Sequence, residues 1–321
     1  DETLKHLGMT DRIAAVLLEE EIAVPIVYTE IPTDSSLSTA NKIAGICRKN
    51  DIDMIIGLGG GSVIDTAKGV RMILSQNSDD ILKLSGYEGL PAGSPVPLCI
   101  IPTTSGTGSE VTGVAVIRDE NRDLKMEFIS AHIQPDIAVL DPQMTQSMPP
   151  KVTAATGMDA LCHAVEGYTC LQKNPLSDAY AVTALRTIAG SLKKAVADGS
   201  DTDARIEMAN AALMAGISFS NSMVGIVHGI GHALGAVCRI PHGTAMNILL
   251  PHCMMYNMDV CGERYADLLL YLAGAEVYAS TPEKERAEAC IRSIRSLSEE
   301  LHTLCGLPLR LSQTGALKED F

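Results

Sequence analysis

The chain has 321 residues, 46% of them hydrophobic and 20% charged, which is typical of a globular protein and excludes a disordered one. Its net charge of −14, with no lysine- or arginine-rich stripe, argues against nucleic-acid binding, and no apolar run is long enough to span a bilayer. A chain of this length has room for one large core or two domains.

The nine cysteines are irregularly spaced and include no Cys-x-x-Cys pair. This pattern suits thiols in a reducing compartment rather than a disulfide framework, so we expect a cytoplasmic protein. Cys162, in the helical stretch GMDALCHAVE, is expected to pack in the core and to point away from the aspartate and histidine of that stretch.

The first part of the chain alternates short apolar segments with helical ones. We predict strands at 25–28, 54–57, 97–101 and 137–140, and helices at 38–50 and 63–75. Such alternation is typical of a parallel sheet with crossover helices.

A glycine-rich turn follows the second of these strands. Gly59, Gly60 and Gly61 lead into a helix predicted to begin near Ser62, its expected N-cap, with Asp65 in the first turn. Glycines let the backbone approach a pyrophosphate, and a helix N-terminus offers free N–H groups. The turn lacks the Gly-Lys-Ser/Thr ending of an NTP-hydrolysing loop, so a dinucleotide site and simple strand–helix packing remain as alternatives.

A second polar loop, at 103–109, follows the strand predicted at 97–101 and precedes β-like sequence at 111–117. Hydroxyl groups at the carboxyl end of a parallel strand suit phosphate and ribose contacts. The alternative is an ordinary turn rich in serine and threonine.

After Pro149 and Pro150 the sequence becomes rich in alanine, leucine and methionine with helical periodicity. We predict helices at 176–197, 202–218 and 282–305. The predicted fold is therefore an α/β dinucleotide-binding domain with a parallel sheet at 1–148, followed by an all-helical metal-binding domain at 149–321.

One carboxylate and several histidines in this second part have the spacing of a metal site. Asp159 and His163 are four residues apart, His228 and His232 repeat that spacing, and His242 follows. Residues four apart share a helix face. A lone histidine on an apolar face is usually a core residue, but the repeated spacing favours a site of Asp159, His163, His228 and His242. Three imidazoles and a carboxylate suit Fe(II) or Zn(II).

Four sequence motifs resemble those of the iron-containing (group III) alcohol dehydrogenases: GGGSVIDTAK, PTTSGTGSEVT, GMDALCHAVE, and HGIGHALG followed by PHG. The resemblance runs over essentially the whole chain, in the right order. It implies a metal-dependent oxidoreductase that transfers a hydride between NAD(H) and a small aliphatic alcohol, diol or aldehyde. It also implies a homo-oligomer.

The same resemblance implies site residues. The metal ligands would be Asp159, His163, His228 and His242, with Fe(II), or Zn(II), as the ion. His232 matches a further histidine beside the metal, either as a catalytic proton relay and substrate-positioning group or as packing. The implied dinucleotide contacts are Asp1, Gly60, Gly61, Ser62, Asp65, Thr103, Thr104, Thr107 and Lys125.

In the implied cofactor site, Asp1 matches the family's acidic residue at the adenosine ribose, whereas Thr33 departs from the family pattern. A carboxylate at Asp1 would favour NAD over NADP by repelling a 2′-phosphate. The family has a Pro-Asn-Pro-Thr motif near the cofactor, and this chain has Pro-Thr-Asp-Ser at 32–35. Thr33 therefore stands in place of the asparagine whose amide would make the contact.

Three alternatives remain open. The chain could belong to the glycerol dehydrogenase and dehydroquinate synthase branch of the same superfamily, although a synthase would use a glutamate with two histidines. A maleylacetate reductase-like enzyme would need no metal. The chain could also be a truncated, non-catalytic fragment, because it opens at Asp1 without the family's first strand and stops at Phe321 where relatives continue.

Overall fold

The computed structural model describes residues 1–85 and 96–316. The chain forms two compact units, the first made of Asp1–Thr103 and Ser109–Met144 and the second of Thr104–Gly108 and Thr145–Phe321. The loop 104–108 was predicted to belong to the first domain but groups with the second unit.

The first unit is built around a parallel sheet and a hairpin. The strands are β1 (Ile55–Gly59), β2 (Leu98–Pro102), β3 (Val114–Asp119), β4 (Leu124–Ile129) and β5 (Ile137–Ala138). Strands β1, β2 and β5 form a parallel sheet in the order β1-β2-β5, while β3 and β4 pair antiparallel. Every residue of β2 is buried, as expected for a central parallel strand covered on both faces.

The helices of the first unit are α1 (Glu2–His6), α2 (Met9–Glu19), α3 (Leu37–Lys49) and α4 (Gly61–Ser75). Helix α4 packs against β1, β2 and β3, and one side of it joins a core that includes Val70, Ile73, Ile117 and Phe128. The crossover from β1 through α4 to β2 therefore sets the glycine turn at the carboxyl end of β1.

The strand predicted at 25–28 is wrong. No residue there belongs to a ladder in the described part of the chain, and the side chain of Val27 is 51% exposed. A short apolar run becomes a strand when a neighbouring edge supplies hydrogen bonds, and this segment has no such edge in the part of the chain that the structure describes.

The second unit is helical in its named elements. They are α5 (Pro150–Thr169), α6 (Pro175–Ala197), α7 (Thr202–Ser220), α8 (Ile226–Val237), α9 (His242–Tyr256), α10 (Met258–Ala273), α11 (Ala275–Ser280) and α12 (Arg286–Cys305). The predicted combination of a parallel sheet followed by a helical part is confirmed, although the helix expected at 282–305 begins as a 3₁₀ turn at Glu283–Glu285. None of the helices described combines the length and apolarity needed to cross a lipid bilayer.

Helix α5 is the central element of this unit. It packs against α6, α7 and α9, and all of its residues from Gly157 to Tyr168 are buried. A helix that is buried all round has no solvent face for polar residues, so any charge it carries lies inside the core. This is the environment of Asp159.

A buried arginine holds the start of α5 in place. Arg205 of α7 donates from Nη1 to Thr153 Oγ1 at 2.8 Å and from Nη2 to the Met148 carbonyl at 3.2 Å. Its Nε donates to the Gly199 carbonyl at 3.0 Å. The guanidinium thus satisfies three acceptors and ties the entry to α5 to α7.

Candidate metal centre and cofactor loop

Helix α5 places a carboxylate and an imidazole on one buried face, as their spacing predicts. Asp159 is 2% exposed and His163 is 5% exposed. Nδ1 of His163 lies 3.9 Å from Oδ1 of Asp159. The ring of His163 also stacks on the ring of Phe219, with centroids 4.3 Å apart.

Helices α8 and α9 bring two more imidazoles to the same carboxylate oxygen. His228 Nε2 lies 3.7 Å from Asp159 Oδ1, and His242 Nε2 lies 3.2 Å from it. Ligand atoms of Asp159, His228 and His242 all lie within 4.8 Å of one another; His163 lies outside this group but stacks on His228 with centroids 4.4 Å apart. The three histidines predicted as ligands therefore all approach one carboxylate oxygen of the fourth predicted ligand, Asp159.

A glycine allows α9 to come this close to α5. A Cβ atom built on Gly243 would lie 2.2 Å from the carbonyl oxygen of Ala155, which is backbone and cannot rotate away. Gly243 follows His242 directly, at the start of α9. The close approach of the two helices is therefore what brings His242 to Asp159.

The buried polar atoms at this point fit a bound cation. Asp159 Oδ1, His163 Nδ1 and His228 Nε2 are buried and form no hydrogen bond with any described residue. Even the 3.2 Å approach of His242 to Asp159 is not a hydrogen bond. Each unsatisfied buried polar group costs about 1–3 kcal/mol, so three at one point are expected where an ion completes the set. One oxygen and three imidazole donors suit Fe(II) or Zn(II).

Burial and charge give Asp159, His163 and His242 the protonation states of metal ligands. Burial lowers the pKa of His163 to about 3 and also lowers the pKa of His242, in both cases against an opposing effect of Asp159. Burial acts to raise the pKa of Asp159, but His163, His242 and His228 outweigh it and hold that pKa well below its ordinary value. A charged carboxylate and neutral imidazoles are the forms that bind a metal.

A second carboxylate, which the sequence did not predict as part of the site, contacts the Nδ1 side of the His228 ring. Glu166 Oε2 lies 2.5 Å from His228 Nδ1, and Glu166 Oε1 accepts a hydrogen bond from the Val227 N–H at 2.8 Å. Cys162 Sγ lies 3.9 Å from the same Nδ1. Cys162 is a core residue as predicted, and its contact is with Nδ1 of His228, which approaches it from α8.

The pKa of His228 differs in direction from those of the other two ligand histidines. Burial acts to lower it, but contacts with Cys162, Asp159 and Glu166 raise it well above its ordinary value. His228 thus lies between two carboxylates. The sequence did contain a signal for the second carboxylate. Glu166 is a charged residue two helical turns after Asp159, in a helix whose other residues are mostly apolar.

His232, predicted as a catalytic residue, lies one turn after His228 on α8. Its ring centroid is 5.9 Å from that of His228 and 5.2 Å from that of His242. It is therefore beside the cluster, and its role stays a prediction.

The glycine turn of the first unit differs in detail from the sequence prediction. Helix α4 begins at Gly61 with Gly60 as N-cap, so the prediction of Ser62 as N-cap is wrong. The Ser62 hydroxyl instead donates to the Thr33 carbonyl. Because the helix begins earlier than expected, Asp65 lies beyond its first turn, where it accepts hydrogen bonds from Ser109 Oγ at 2.7 Å and from the Val116 N–H at 3.0 Å.

Other predicted cofactor residues have structural partners. The Asp1 side chain caps α1 by accepting from the Leu4 N–H at 3.0 Å. Lys125 Nζ forms an ion pair with Asp34 at 3.0 Å.

The polar loop after β2 holds the remaining candidates. Thr103 is buried and its N–H donates to the Gly59 carbonyl at 3.0 Å, which extends the pairing of β1 and β2. Thr104 and Thr107 are half-buried in the stretch that groups with the second unit.

A buried lysine anchors the loop that precedes β3. Lys68 Nζ donates to Ser109 Oγ at 2.7 Å, to Thr112 Oγ1 at 3.1 Å and to the Val114 carbonyl at 2.7 Å. Burial lowers the pKa of Lys68 to about 8, and burial raises the pKa of the nearby Glu110 to about 7. Through its three hydrogen bonds Lys68 ties α4 to the segment 109–114.

The parallel-sheet unit with its glycine turn and the helical unit with its aspartate and histidine cluster together define a metal-dependent oxidoreductase of the dehydrogenase class. Comparison with known proteins agrees. Residues 1–142 match the family described as iron-containing alcohol dehydrogenase, and residues 153–321 match the C-terminal part of the Fe-containing alcohol dehydrogenase family.

Individual relatives match over nearly the whole chain. Long-chain-alcohol dehydrogenase 1 of Geobacillus thermodenitrificans is 38% identical over 98% of this chain and 78% of its own length. The NAD-dependent methanol dehydrogenase of Bacillus methanolicus is 34% identical over 100% of this chain and 82% of its own. A crystal structure of 1,3-propanediol oxidoreductase superposes with a TM-score of 0.93 at 33% identity, covering 100% of this chain and 81% of the other.

The chain therefore belongs to the iron-containing alcohol dehydrogenase family. The predictions of this family and of an alcohol dehydrogenase-type enzyme are confirmed, and they are favoured over the glycerol dehydrogenase and dehydroquinate synthase alternative.

Proposed function

We propose that the protein is an NAD-dependent alcohol dehydrogenase whose metal ion is held by Asp159, His163, His228 and His242. The observation that carries the proposal is the meeting of buried, unsatisfied Oδ1, Nδ1 and Nε2 atoms from α5 and α8, with His242 of α9 beside them. Family membership supports iron as the ion, and a relative named for NAD dependence supports the cofactor.

The residues of the cluster have separate tasks. Asp159 supplies the negative charge that offsets a divalent ion, and the imidazoles leave a net positive site that favours an anionic substrate oxygen. When bound, the ion acts as a Lewis acid that polarises the alcohol or carbonyl oxygen of the substrate. Burial of Asp159, His163 and His228 keeps water away from the ligand atoms and strengthens every charge interaction there.

The cofactor is assigned to the segment 1–148 and the metal to 149–321. NAD brings the hydride chemistry, and the protein orients it. The first peptide N–H groups of α4, at Gly61 and Ser62, are free of helical partners by geometry and suit the pyrophosphate. The further contacts proposed are Asp1, Gly60, Asp65, Thr103, Thr104, Thr107 and Lys125.

Of these residues, Lys125 has the clearest constraint. Its ammonium is paired with Asp34, whose side chain is 45% exposed, so a contact with the cofactor requires that this pair open or be shared. Asp65 binds the Ser109 hydroxyl and the β3 backbone, so we assign it the support of the loop in addition to any cofactor contact.

His232 is proposed as the group that relays a proton between the substrate oxygen and solvent. It is half-buried and its ring is near that of His242. An imidazole has one nitrogen that accepts a proton and one that donates it, so a histidine in this position can exchange protons during turnover. A His232→Ala variant that keeps full turnover across pH would reject the relay.

The substrate is proposed as a small aliphatic alcohol, diol or aldehyde. The relatives named above act on long-chain alcohols, methanol and 1,3-propanediol at similar identity, so chain length does not transfer from any one of them. Low aromatic content, 3% with no tryptophan, favours an aliphatic substrate over a large ring.

The test combines metal analysis with turnover. The purified protein is analysed for iron and zinc, and NADH oxidation is followed with a panel of short aldehydes before chelation, after chelation and after metal is restored. We expect activity that is lost on chelation and recovered with Fe(II) or Zn(II). Activity that survives complete metal removal would contradict the proposal, and Asp159→Asn is the matched inactive control.

A homo-oligomer in the cytoplasm is also proposed. All cysteines in the described part of the chain are free thiols, which supports a reducing compartment. Light scattering coupled to size-exclusion chromatography tests the assembly state.

A further inference from the structure

We propose that Glu166 is a positioning residue for the metal site: it holds His228 so that Nε2, and not Nδ1, is the ligand atom. The inference rests on the proposed function, because it concerns the same ion. It assigns a role to a residue that the spacing of the ligands does not reveal.

Both oxygens of Glu166 are used, and both as acceptors. Oε2 lies 2.5 Å from His228 Nδ1 and Oε1 lies 2.8 Å from the backbone nitrogen of Val227. A metal-bound imidazole is neutral, and with a carboxylate at Oε2 its one ring hydrogen is on Nδ1. The lone pair is then on Nε2, which lies 3.7 Å from Asp159 Oδ1 on the other side of the ring.

The second contact fixes the helix that carries His228. Val227 is the second residue of α8, and its N–H is one of those that the helix itself leaves without an acceptor. A carboxylate at a helix N-terminus is also favoured by the dipole. Glu166 of α5 therefore sets both the position of α8 and the rotation of the imidazole.

An amide of the same shape cannot replace this carboxylate. Glutamine has one acceptor oxygen and one NH₂ donor. If its oxygen accepts from Val227, its NH₂ faces Nδ1 of His228, and the imidazole must move its hydrogen to Nε2, where it blocks the ion. If its oxygen accepts from His228, the NH₂ meets the Val227 N–H, and two donors oppose each other. Either arrangement weakens the site.

The alternative is that Cys162, Glu166 and His228 form a second metal site, since their ligand atoms also lie within 4.8 Å of one another. The 2.5 Å separation of Glu166 and His228 argues against it. Two ligands of one tetrahedral zinc ion are about 3.3 Å apart, because each lies about 2.0–2.1 Å from the metal. The short contact is a hydrogen bond.

The experiment compares Glu166→Gln with Cys162→Ser as a matched control that changes the other group near Nδ1. Zn(II) and Co(II) affinities of the apoproteins are measured by competition with a chromogenic chelator. Outer partners of metal-bound histidines are worth about 10–100-fold in affinity. We expect a loss of about that size in Glu166→Gln and a change within about twofold in Cys162→Ser. Equal affinities in wild type and Glu166→Gln would overturn the inference, as would a larger loss in Cys162→Ser.

A second measurement does not depend on the variant folding. In the zinc-loaded wild-type protein, ¹⁵N histidine spectra report which ring nitrogen carries hydrogen. We expect Nδ1–H and a metal-bound Nε2 for His228; a metal-bound Nδ1 would overturn the inference. Failure of the wild-type protein to bind any metal would contradict the proposed function instead, so the two failures are distinguishable.

Discussion

Nε2 of His242 lies 3.2 Å from Oδ1 of Asp159, although the two residues come from different helices, and the contact is not a hydrogen bond. Two atoms that could be a donor and an acceptor lie side by side without the geometry of that bond. Because His163 and His228 also lie around this oxygen, we infer that all four side chains face a bound cation.

Metal removal is expected to lower stability. A ligand that binds the folded chain stabilises it by about 2.7 kcal/mol at a concentration 100 times its Kd. We predict that Zn(II) or Fe(II) raises the Tm of the apoprotein and that Asp159→Asn abolishes this rise. Differential scanning calorimetry of both proteins, with and without metal, measures it. An equal rise in the variant would exclude Asp159 as a ligand.

Substitution of Gly243 is expected to damage the metal site from outside the ligand set. A Cβ at this position would meet the Ala155 carbonyl at 2.2 Å, so Gly243→Ala must push the start of α9, and His242 with it, away from α5. We predict a stability loss of about 1–3 kcal/mol, as for overpacked cores, and metal affinity at least about tenfold weaker.

The control for this prediction is Gly190→Ala in α6, where an added Cβ meets nothing within 4 Å. It should stabilise the protein by about 0.5–1 kcal/mol, the usual gain over glycine inside a helix, with metal affinity unchanged. Similar effects of the two substitutions in urea unfolding and chelator competition would show that the close approach of α9 is unimportant.

The buried Glu110 is expected to make stability fall as pH rises through the acidic range. Burial raises its pKa from 4.5 to about 7. Between these values the unfolded chain releases the proton while the folded chain keeps it, so the folded state binds more protons and its free energy of unfolding decreases with rising pH. The size is on the order of 3 kcal/mol, from 1.36 kcal/mol per pKa unit.

Glu110→Gln should remove this contribution, so the wild type should lose stability relative to the variant between pH 4.5 and 7. Urea unfolding of both proteins across that range measures the difference, with the exposed Glu283→Gln as control. A difference between wild type and Glu110→Gln that does not change with pH would mean that Glu110 ionises normally in the folded protein.

The ion pair of Asp34 with Lys125 is expected to weaken cofactor binding. Asp34→Asn frees the Lys125 ammonium for an anionic cofactor, and a partly exposed pair is worth up to about 1 kcal/mol. We predict a KM for NADH lowered up to about fivefold with kcat nearly unchanged, and a raised KM in Lys125→Met. If both variants keep the wild-type KM, Lys125 does not contact the cofactor.

Much of the helical part could be predicted from the sequence, because helical periodicity and i,i+4 spacing are local properties. Asp159 and His163 had to share a face of any helix that formed there, and Pro150 marked where it begins. The roles of Glu166 and Cys162 depend on where α8 packs, which no local pattern encodes. The N-cap of α4 is Gly60, two residues before the predicted Ser62, and the Ser62 hydroxyl donates to the Thr33 carbonyl, a partner distant in sequence.

The first unit was less predictable for the same reason. The segment 25–28 has the composition of a strand, but pairing depends on a neighbouring edge rather than on the segment itself. The predicted position of Asp65 was wrong for a related reason. Helix α4 begins earlier than predicted, so Asp65 lies beyond its first turn and accepts a hydrogen bond from β3.

The most direct test of the metal centre is diffraction from crystals of the iron-loaded protein, recorded on both sides of the iron absorption edge. We predict one anomalous peak at about 2.0–2.2 Å from Asp159 and from Nε2 of His228 and His242, with His163 completing the set. A peak elsewhere, or none at full iron loading, would contradict the proposal that these four side chains bind the ion.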